Sequence, residues 1–170
     1  AQIIYCPPYT LLDKFLKITN NSKIKVGAQN CHHSQNPGPY TGSINASLIK
    51  SIGANYVIIG HSENRISGDS NHIINLKIKS ALKNNLKVIF CIGETLNEKR
   101  NKKTHAVLKS QIFGGLKNVK KNTSIIFAYE PVWSIGTGVI PKFENLKKQI
   151  FNIKTIVNKL WKLKNPKIIY

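Results

Sequence analysis

The chain is poor in acidic side chains. Only 7 of its 170 residues are Asp or Glu, whereas 26 are Lys or Arg, which gives a formal net charge of +19. Arginine is scarce too, because every basic residue except Arg65 and Arg100 is a lysine. The lysines are scattered and lack interleaved aromatic residues, so a bias toward AT-rich codons explains the charge better than a specific nucleic-acid site. Non-specific binding to polyanions at low salt is still expected.

Cysteine and long apolar runs are scarce as well. Cys6, Cys31 and Cys91 are odd in number and far apart, which fits neither a disulfide framework nor a zinc site. His32 and His33 follow Cys31, but no pattern supplies further ligands, so we expect no metal. The sequence shows no signal peptide and no apolar run of membrane-spanning length. We therefore expect a cytoplasmic protein that does not interact with a membrane.

Apolar runs and amphipathic stretches alternate along the chain. Runs rich in Val, Ile and Phe predict strands at 3–6, 24–29, 55–60, 86–93, 124–130 and 166–170. Helical periodicity predicts helices at 10–18, 45–52, 69–85, 104–119 and 143–163, the third of them capped by Asp69 or Ser70. This alternation predicts a parallel α/β sheet, and without a linker the whole chain, 1–170, is one domain.

Two architectures fit this alternation: an open doubly wound sheet and a β/α barrel. A dinucleotide fingerprint or a phosphate-binding P-loop would favour the open sheet, and the sequence has neither. Instead, three predicted strands run into the polar segments "GHSEN", "GET" and "EP". Barrel enzymes build their sites from the carboxyl ends of several strands, so the sequence favours the barrel.

His61 and Glu130 are the candidate catalytic residues. His61 begins a helical turn, where the positive end of the helix dipole disfavours its protonated form; alone, it would more often be structural. Glu130 ends a strand before Pro131, and its apolar neighbours Tyr129, Val132 and Trp133 would raise its basicity. The loop "VWSIGTG" that follows could offer backbone amides to an anion. A base, a neutral donor and such a loop favour proton transfer beside the carbonyl of a phosphorylated substrate.

Four segments, "GAQNC", "IIGHSENR", "CIGE" and "AYEPVWSIGTG", closely resemble the triosephosphate isomerase family, and they occur in the family's order. The resemblance implies a TIM (β/α)8 barrel. It also implies an isomerase of glycolysis and gluconeogenesis that interconverts dihydroxyacetone phosphate and D-glyceraldehyde 3-phosphate. No cofactor, metal or specific nucleic acid is implied.

The resemblance assigns roles to individual residues. Glu130 would shuttle the proton between two substrate carbons, His61 would polarise the carbonyl, and the amide of Gly136 would bind the phosphate. Residues 131–141 would form a lid. The family acts as a homodimer, in which the loop 32–42 would enter the partner's site. Supporting roles fall to Ser62, Glu63, Asn30 at the base of that loop, and Thr41 near its tip.

The resemblance covers only the middle of the family's chain, from its second strand to its seventh. The first strand with its Asn-x-Lys motif and the eighth with its Gly-Gly phosphate loop would lie outside it. By itself a piece of this length is expected to be inactive and poorly folded, because both sheet edges would be open. Two other hypotheses are a decayed, non-catalytic basic protein that binds polyanions or a partner, and a barrel enzyme acting on a larger phosphorylated sugar.

Overall fold

The computed structural model describes residues 2–170, which form one sheet of six parallel strands. The strands are β1 (Ile4–Tyr5), β2 (Lys25–Ala28), β3 (Tyr56–Ile59), β4 (Lys87–Ile92), β5 (Ile125–Tyr129) and β6 (Lys167–Ile169). They lie side by side in chain order, and each neighbouring pair is parallel. This is the wall of an incomplete β/α barrel, so the predicted architecture is confirmed, with strands shorter than predicted.

Helices occupy every connection between the strands. They are α1 (Tyr9–Thr19), α2 (Ala46–Ser51), α3 (Ser62–Ile66), α4 (Asn71–Lys83), α5 (Leu96–Arg100), α6 (Thr104–Gly115) and α7 (Phe143–Trp161). Five of them match the predicted helices. The sequence indicates α3 only as the helical turn that His61 begins and does not indicate α5, because five residues are too few to show a periodicity. Within residues 2–170, none of the helices combines the length and apolar character needed to cross a membrane.

The adjacent residues Asp69 and Ser70, at the start of α4, have different roles. Of the two predicted caps, Ser70 is the one used: its Oγ accepts the Ile73 N–H at 3.3 Å. Asp69 is thereby free to turn toward the interior, where it pairs with Lys77. The residue before the N-cap thus places a carboxylate beside the inner face of α4.

The core lies between the sheet and its helices. Strands β3 and β4 are buried along most of their length, as the near-continuous apolar runs indicate. Phe90 of β4 and Phe127 of β5 meet with ring centroids 6.1 Å apart. Each fully buried side chain of this size contributes roughly 1.5–3 kcal/mol to folding. The carboxyl ends of β3, β4 and β5 are therefore held on a rigid, well-packed platform.

The acidic residues are concentrated at one end of the sheet. Apart from Asp13, the acidic residues follow the carboxyl ends of strands: Glu63, Asp69, Glu94, Glu98, Glu130 and Glu144. The connections that lead back from helix to strand contain no acidic residue, and they hold Lys23, Lys117, Lys120, Lys121, Lys162 and Lys164. The amino end of the sheet is thus positive, and the carboxylates lie at the end where the candidate site lies.

Candidate active site

His61 and Glu130 meet at the carboxyl end of the sheet. His61 follows β3 and Glu130 follows β5, so the two side chains converge across the intervening strand β4. His61 Nε2 lies 2.7 Å from Glu130 Oε1, and the two side chains are 29% and 19% exposed. Residues 69 positions apart in the chain therefore form one half-buried hydrogen-bonded pair that a ligand at the strand ends can reach.

A backbone N–H of α3 sets the tautomer of His61. His61 is the N-cap of this helix, and its Nδ1 accepts the Glu63 N–H at 3.4 Å. A nitrogen that accepts a hydrogen bond carries no proton, so the ring proton of the neutral imidazole lies on Nε2. The carboxylate Oε2 of Glu63 lies 3.7 Å from the same Nδ1. In this tautomer the Nε2–H of His61 points to Glu130.

Both carboxylate oxygens of Glu130 have a hydrogen-bond donor. Oε1 faces His61, and Oε2 accepts the backbone N–H of the buried Ser62 at 3.1 Å. Burial raises the pKa of Glu130 above its ordinary value, while His61 and the Ser62 amide act in the opposite direction. The result is a carboxylate that is more basic than a solvated one yet held in a fixed orientation.

The backbone of Glu130 is held against the end of β4. Its N–H donates to the Ile92 carbonyl at 2.8 Å. The next residue, Gly93, approaches so closely that a Cβ there would lie 1.8 Å from the Glu130 carbonyl oxygen. Only glycine fits this contact, which fixes where the candidate base leaves its strand.

A second carboxylate, Glu94, holds the residues on either side of Glu130. Its buried side chain accepts the Tyr129 hydroxyl at 3.1 Å and the Trp133 Nε1–H at 2.9 Å. The prediction that Tyr129 and Trp133 surround Glu130 with apolar surface is therefore wrong in this respect. Successive side chains of a strand point to opposite faces, so Tyr129 turns away from its neighbour Glu130. A buried carboxylate also requires donors, and these two residues supply them.

The segment 131–141, the predicted lid, starts with a short 3-10 turn at Val132–Ser134 and continues as an exposed loop. Gly136 and Gly138 adopt φ values of +66° and +72°, which a residue with a side chain rarely adopts. Among the described residues, no atom outside its chain neighbours lies within 4 Å of the Cβ position of Gly136. Gly136 is therefore in the exposed part of the loop and is not packed against His61 or Glu130.

A cavity of about 430 Å³ opens beside His61, large enough for a small ligand. It is lined by Tyr9, Gln29, Asn30, Ile58, His61, Glu63 and Asn64. Asn30 is fixed in its wall, since its Nδ2 donates to Asn64 Oδ1 at 3.0 Å and its carbonyl accepts the Tyr9 hydroxyl. Thr41 lies exposed in the loop between β2 and α2. The structure thus brings Asn30, Ser62 and Glu63 to the His61–Glu130 pair, whereas Thr41 and Gly136 lie in exposed loops.

An ion pair behind this cavity is missing from the sequence-based prediction. Lys77 Nζ lies 2.6 Å from Asp69 Oδ2 and 3.1 Å from Asn30 Oδ1, and both charged side chains are largely buried. One signal was available in the sequence: Lys77 falls on the apolar stripe of α4, between Ile74 and Ile78. A lysine on a buried stripe needs an acceptor, and Asp69 is the nearest acid in the chain.

Arg65 ties together the ends of β3 and β4. Its Nε donates to the Gly60 carbonyl at 2.8 Å, and its Nη2 donates to the Cys91 carbonyl at 3.2 Å. Gly60 directly precedes His61, so this guanidinium fixes the backbone from which the histidine starts. Arg65 is absent from the sequence-based prediction, because the sequence does not indicate which backbone carbonyls its guanidinium reaches.

The histidines of the "CHH" segment, residues 31–33, pack against each other and against Tyr40. The rings of His32 and His33 lie 4.2 Å apart, and that of His32 lies 4.7 Å from Tyr40. Burial raises the pKa of the Cys31 thiol to about 12, against which the charge of Lys77 acts. Within residues 2–170, no three His, Cys, Asp or Glu side chains are grouped as a metal site.

The chain is similar to known proteins over its whole length. A family model described as triosephosphate isomerase matches residues 1–170. A triosephosphate isomerase of Thermodesulfovibrio yellowstonii is 40% identical over 161 residues, and one of Alkaliphilus oremlandii is 38% identical over 160 residues. The crystal structure of triosephosphate isomerase from Bartonella henselae superposes with a TM-score of 0.90 at 34% identity.

These alignments cover a larger share of this chain than of the relatives. The alignments cover 94% and 92% of this chain but 65% and 64% of the two curated relatives, in the order above. The Bartonella henselae structure is matched over 98% of this chain and 69% of its own. This chain therefore spans about two thirds of the length of these relatives.

Proposed function

The chain belongs to the triosephosphate isomerase family, and on that premise we propose that its protein interconverts dihydroxyacetone phosphate and D-glyceraldehyde 3-phosphate. One observation supports this activity above all. His61 Nε2 lies 2.7 Å from Glu130 Oε1, and the Glu63 N–H on Nδ1 keeps the proton of the imidazole on Nε2. A base of raised pKa and a neutral donor therefore lie within reach of the same two substrate carbons.

The first step removes a proton from carbon. The Glu130 carboxylate takes a proton from C1 of dihydroxyacetone phosphate, and the electrons of the broken C–H bond form a C1–C2 double bond. The carbonyl π electrons move onto the C2 oxygen, where His61 Nε2–H stabilises the developing charge. The intermediate is an enediolate, and Glu130 is now protonated.

The second step returns the proton to the neighbouring carbon. Glu130 gives its proton to C2, a carbonyl forms at C1, and the hydroxyl proton passes from the C1 oxygen to the C2 oxygen beside His61. Atoms and electrons balance without an oxidant or a cofactor. The carboxylate must therefore reach C1 and C2 in turn. The Ser62 N–H keeps its hold on Oε2, while substrate binding exchanges the His61–Glu130 hydrogen bond for one from Nε2–H to the C2 oxygen.

The remaining residues take positioning and binding roles in this proposal. Ser62 orients Glu130, Glu63 sets the tautomer of His61, and Asn30 shapes the cavity wall. Gly136 donates its backbone amide to the substrate phosphate when the segment 131–141 closes. A closing lid requires backbone freedom, and the exposure and positive φ of Gly136 supply it.

We further propose a cytoplasmic homodimer that acts in glycolysis and gluconeogenesis. In it, the loop 32–42 reaches the site of the partner subunit, with Thr41 near its tip. The exposed Tyr40 supports this role, since a large aromatic side chain on a loop is a frequent interface anchor. The proposal includes no membrane partner and no specific nucleic acid.

The test uses the complete gene product and measures its turnover of dihydroxyacetone phosphate. We expect Glu130→Gln to lower kcat by about 10²–10⁴-fold without changing the unfolding transition at acidic pH, because it removes a general base and conserves shape. Glu144→Gln, in the first turn of α7, is the matched control and should leave kcat unchanged. A parent protein without turnover would refute the proposal and favour a non-catalytic binding role, whereas a Glu130→Gln variant with the kcat of the parent would refute Glu130 as the base.

A further inference from the structure

We propose that Gln111, a residue of α6 outside the cavity, positions both the catalytic base and the start of the lid. The inference rests on the proposed function. The side chain of Gln111 forms two hydrogen bonds with one residue, Gly93: its Oε1 accepts the Gly93 N–H and its Nε2 donates to the Gly93 carbonyl, both at 2.9 Å. An amide that pairs with both groups fixes the two peptide planes flanking that residue.

Gly93 transmits this constraint to Glu130. The position of a Gly93 Cβ is 1.8 Å from the Glu130 carbonyl oxygen and 2.6 Å from its carbonyl carbon. The amide of Glu130 is bonded to the carbonyl of Ile92, the residue before Gly93. The backbone of the base therefore lies directly against the residue that Gln111 holds, and a rotation of Gly93 displaces Glu130.

The residue after Gly93 transmits the same constraint to the lid. The carbonyl of Glu94 accepts the Val132 N–H at 3.1 Å, and its side chain accepts the Trp133 indole N–H at 2.9 Å. Gly93 and Glu94 thus contact Glu130 on one side and the first turn of the lid on the other. Gln111 supports this dipeptide from the helix layer, so one side chain fixes the geometry of both parts.

A substitution of Gln111 should affect the chemical step more than substrate binding. Gln111→Leu conserves bulk but leaves the Gly93 N–H and carbonyl without their partner. A misplacement of about 1 Å at a catalytic group costs up to about 10²-fold in rate. We therefore expect kcat to fall by about 10–10²-fold, with KM changed less than about twofold, because Gln111 is not among the residues that line the cavity.

Asn75 provides a matched control at the other end of the sheet. Its buried amide on α4 donates to the carbonyls of Gly115 and Lys117 at 2.8 and 2.9 Å. It thus also connects a helix to a loop backbone through two bonds of the same length, at the amino end of the strands. We expect Asn75→Leu to lower the free energy of unfolding while kcat stays within about twofold of the parent value.

The experiment compares Gln111→Leu and Asn75→Leu in the complete gene product. The kinetic readouts are kcat, KM and the pH dependence of kcat/KM. Burial raises the pKa of Glu130, so loosened packing in Gln111→Leu should move the acidic limb of that profile to lower pH. If Gln111→Leu does not fold, Gln111→Glu keeps the volume and the acceptor for Gly93 N–H and removes only the donor.

A structural readout separates this inference from the proposed activity. With Trp161, and any tryptophan of the complete gene product outside these 170 residues, replaced by Phe, the emission comes from Trp133 alone. We expect this emission to shift to longer wavelength in Gln111→Leu but not in Asn75→Leu. An unchanged emission, an unchanged kcat, or an equal loss of kcat in Asn75→Leu would each overturn the inference. If the parent has no turnover, the activity proposal fails and the Trp133 emission alone decides the role of Gln111.

Discussion

Replacing Gly93 by alanine should impair the candidate base while leaving substrate binding intact. The new Cβ would lie 1.8 Å from the Glu130 carbonyl oxygen, and Cβ contacts in proteins essentially never fall below 3.0 Å. The two atoms must therefore separate by at least 1.2 Å, which is 3.0 minus 1.8. Because the obstacle is backbone, no change of rotamer relieves it, and the Glu130 peptide itself has to move.

A displacement of this size has a predictable cost. Moving a catalytic group by about 1 Å lowers the rate by up to about 10²-fold, which corresponds to about 2.7 kcal/mol in the activation barrier. Overpacking should lower the free energy of unfolding by a further 1–3 kcal/mol, roughly. We expect Gly93→Ala to fold with a lowered denaturant midpoint and to show a kcat reduced by about 10²-fold.

Steady-state kinetics and urea unfolding of the complete gene product test this prediction. Gly115→Ala is the control, because its Cβ would lie 2.5 Å from the Phe90 ring, in the core and not against the backbone of the base. That variant should lose stability and keep its kcat. A Gly93→Ala protein with kcat within threefold of the parent would show that the base tolerates the displacement, and the geometric reasoning would be wrong.

Three further predictions concern charge and backbone conformation. Since burial raises the pKa of Glu130, the acidic limb of the kcat/KM profile should lie above the ordinary pKa range of glutamate. The folded state favours protonated Glu130, so the stability that this protonation contributes is lost as the pH rises through the raised pKa. Glu130→Gln should therefore gain free energy of unfolding relative to the parent as pH increases, as measured by urea unfolding at several pH values. Lys77→Met should cost about 3–5 kcal/mol, because it leaves the buried Asp69 unpaired; a denaturant-midpoint change equivalent to less than 1 kcal/mol would contradict this. Lys162 ends α7 at φ +54°, so Lys162→Gly should raise the thermal midpoint by relieving about 1 kcal/mol of strain, and a lower midpoint would count against that reason.

Residues with local, periodic signals could be predicted from the sequence. The strands can be predicted because they are continuous apolar runs. Helix α4 can be predicted, with Ser70 as one of two candidate caps, because the cap directly precedes the apolar residues at helical spacing. The placement of His61 and Glu130 at strand ends depends only on where two such runs stop. Parallel strands in chain order then bring both residues to the same end of the sheet.

Contacts between distant segments could not be predicted in this way. Gln111 on α6 pairs with Gly93, and nothing in the sequence around either residue indicates the other. The different roles of Glu94 and Glu130 cannot be read from the sequence either, because both residues are glutamates that follow a strand. Which of them accepts hydrogen bonds from Tyr129 and Trp133 depends on the sheet face to which Tyr129 points. Such partners depend on how helices dock on the sheet, which a single sequence does not encode locally.

The concentration of acidic residues at one end of the sheet has a consequence for the helices themselves. Helices of a β/α layer run opposite to the strands, so their partially positive N-termini lie at the carboxylate-rich end and their partially negative C-termini at the lysine-rich end. Glu63, Glu98 and Glu144 occupy first turns, and the last turns hold Lys17, Lys50, Lys83 and Lys159. Each such placement is favourable by about 0.3–1 kcal/mol at low salt. In a chain with a net charge of +19, repulsion among the lysines lowers the stability, and these favourable charge placements at the helix ends offset part of that loss.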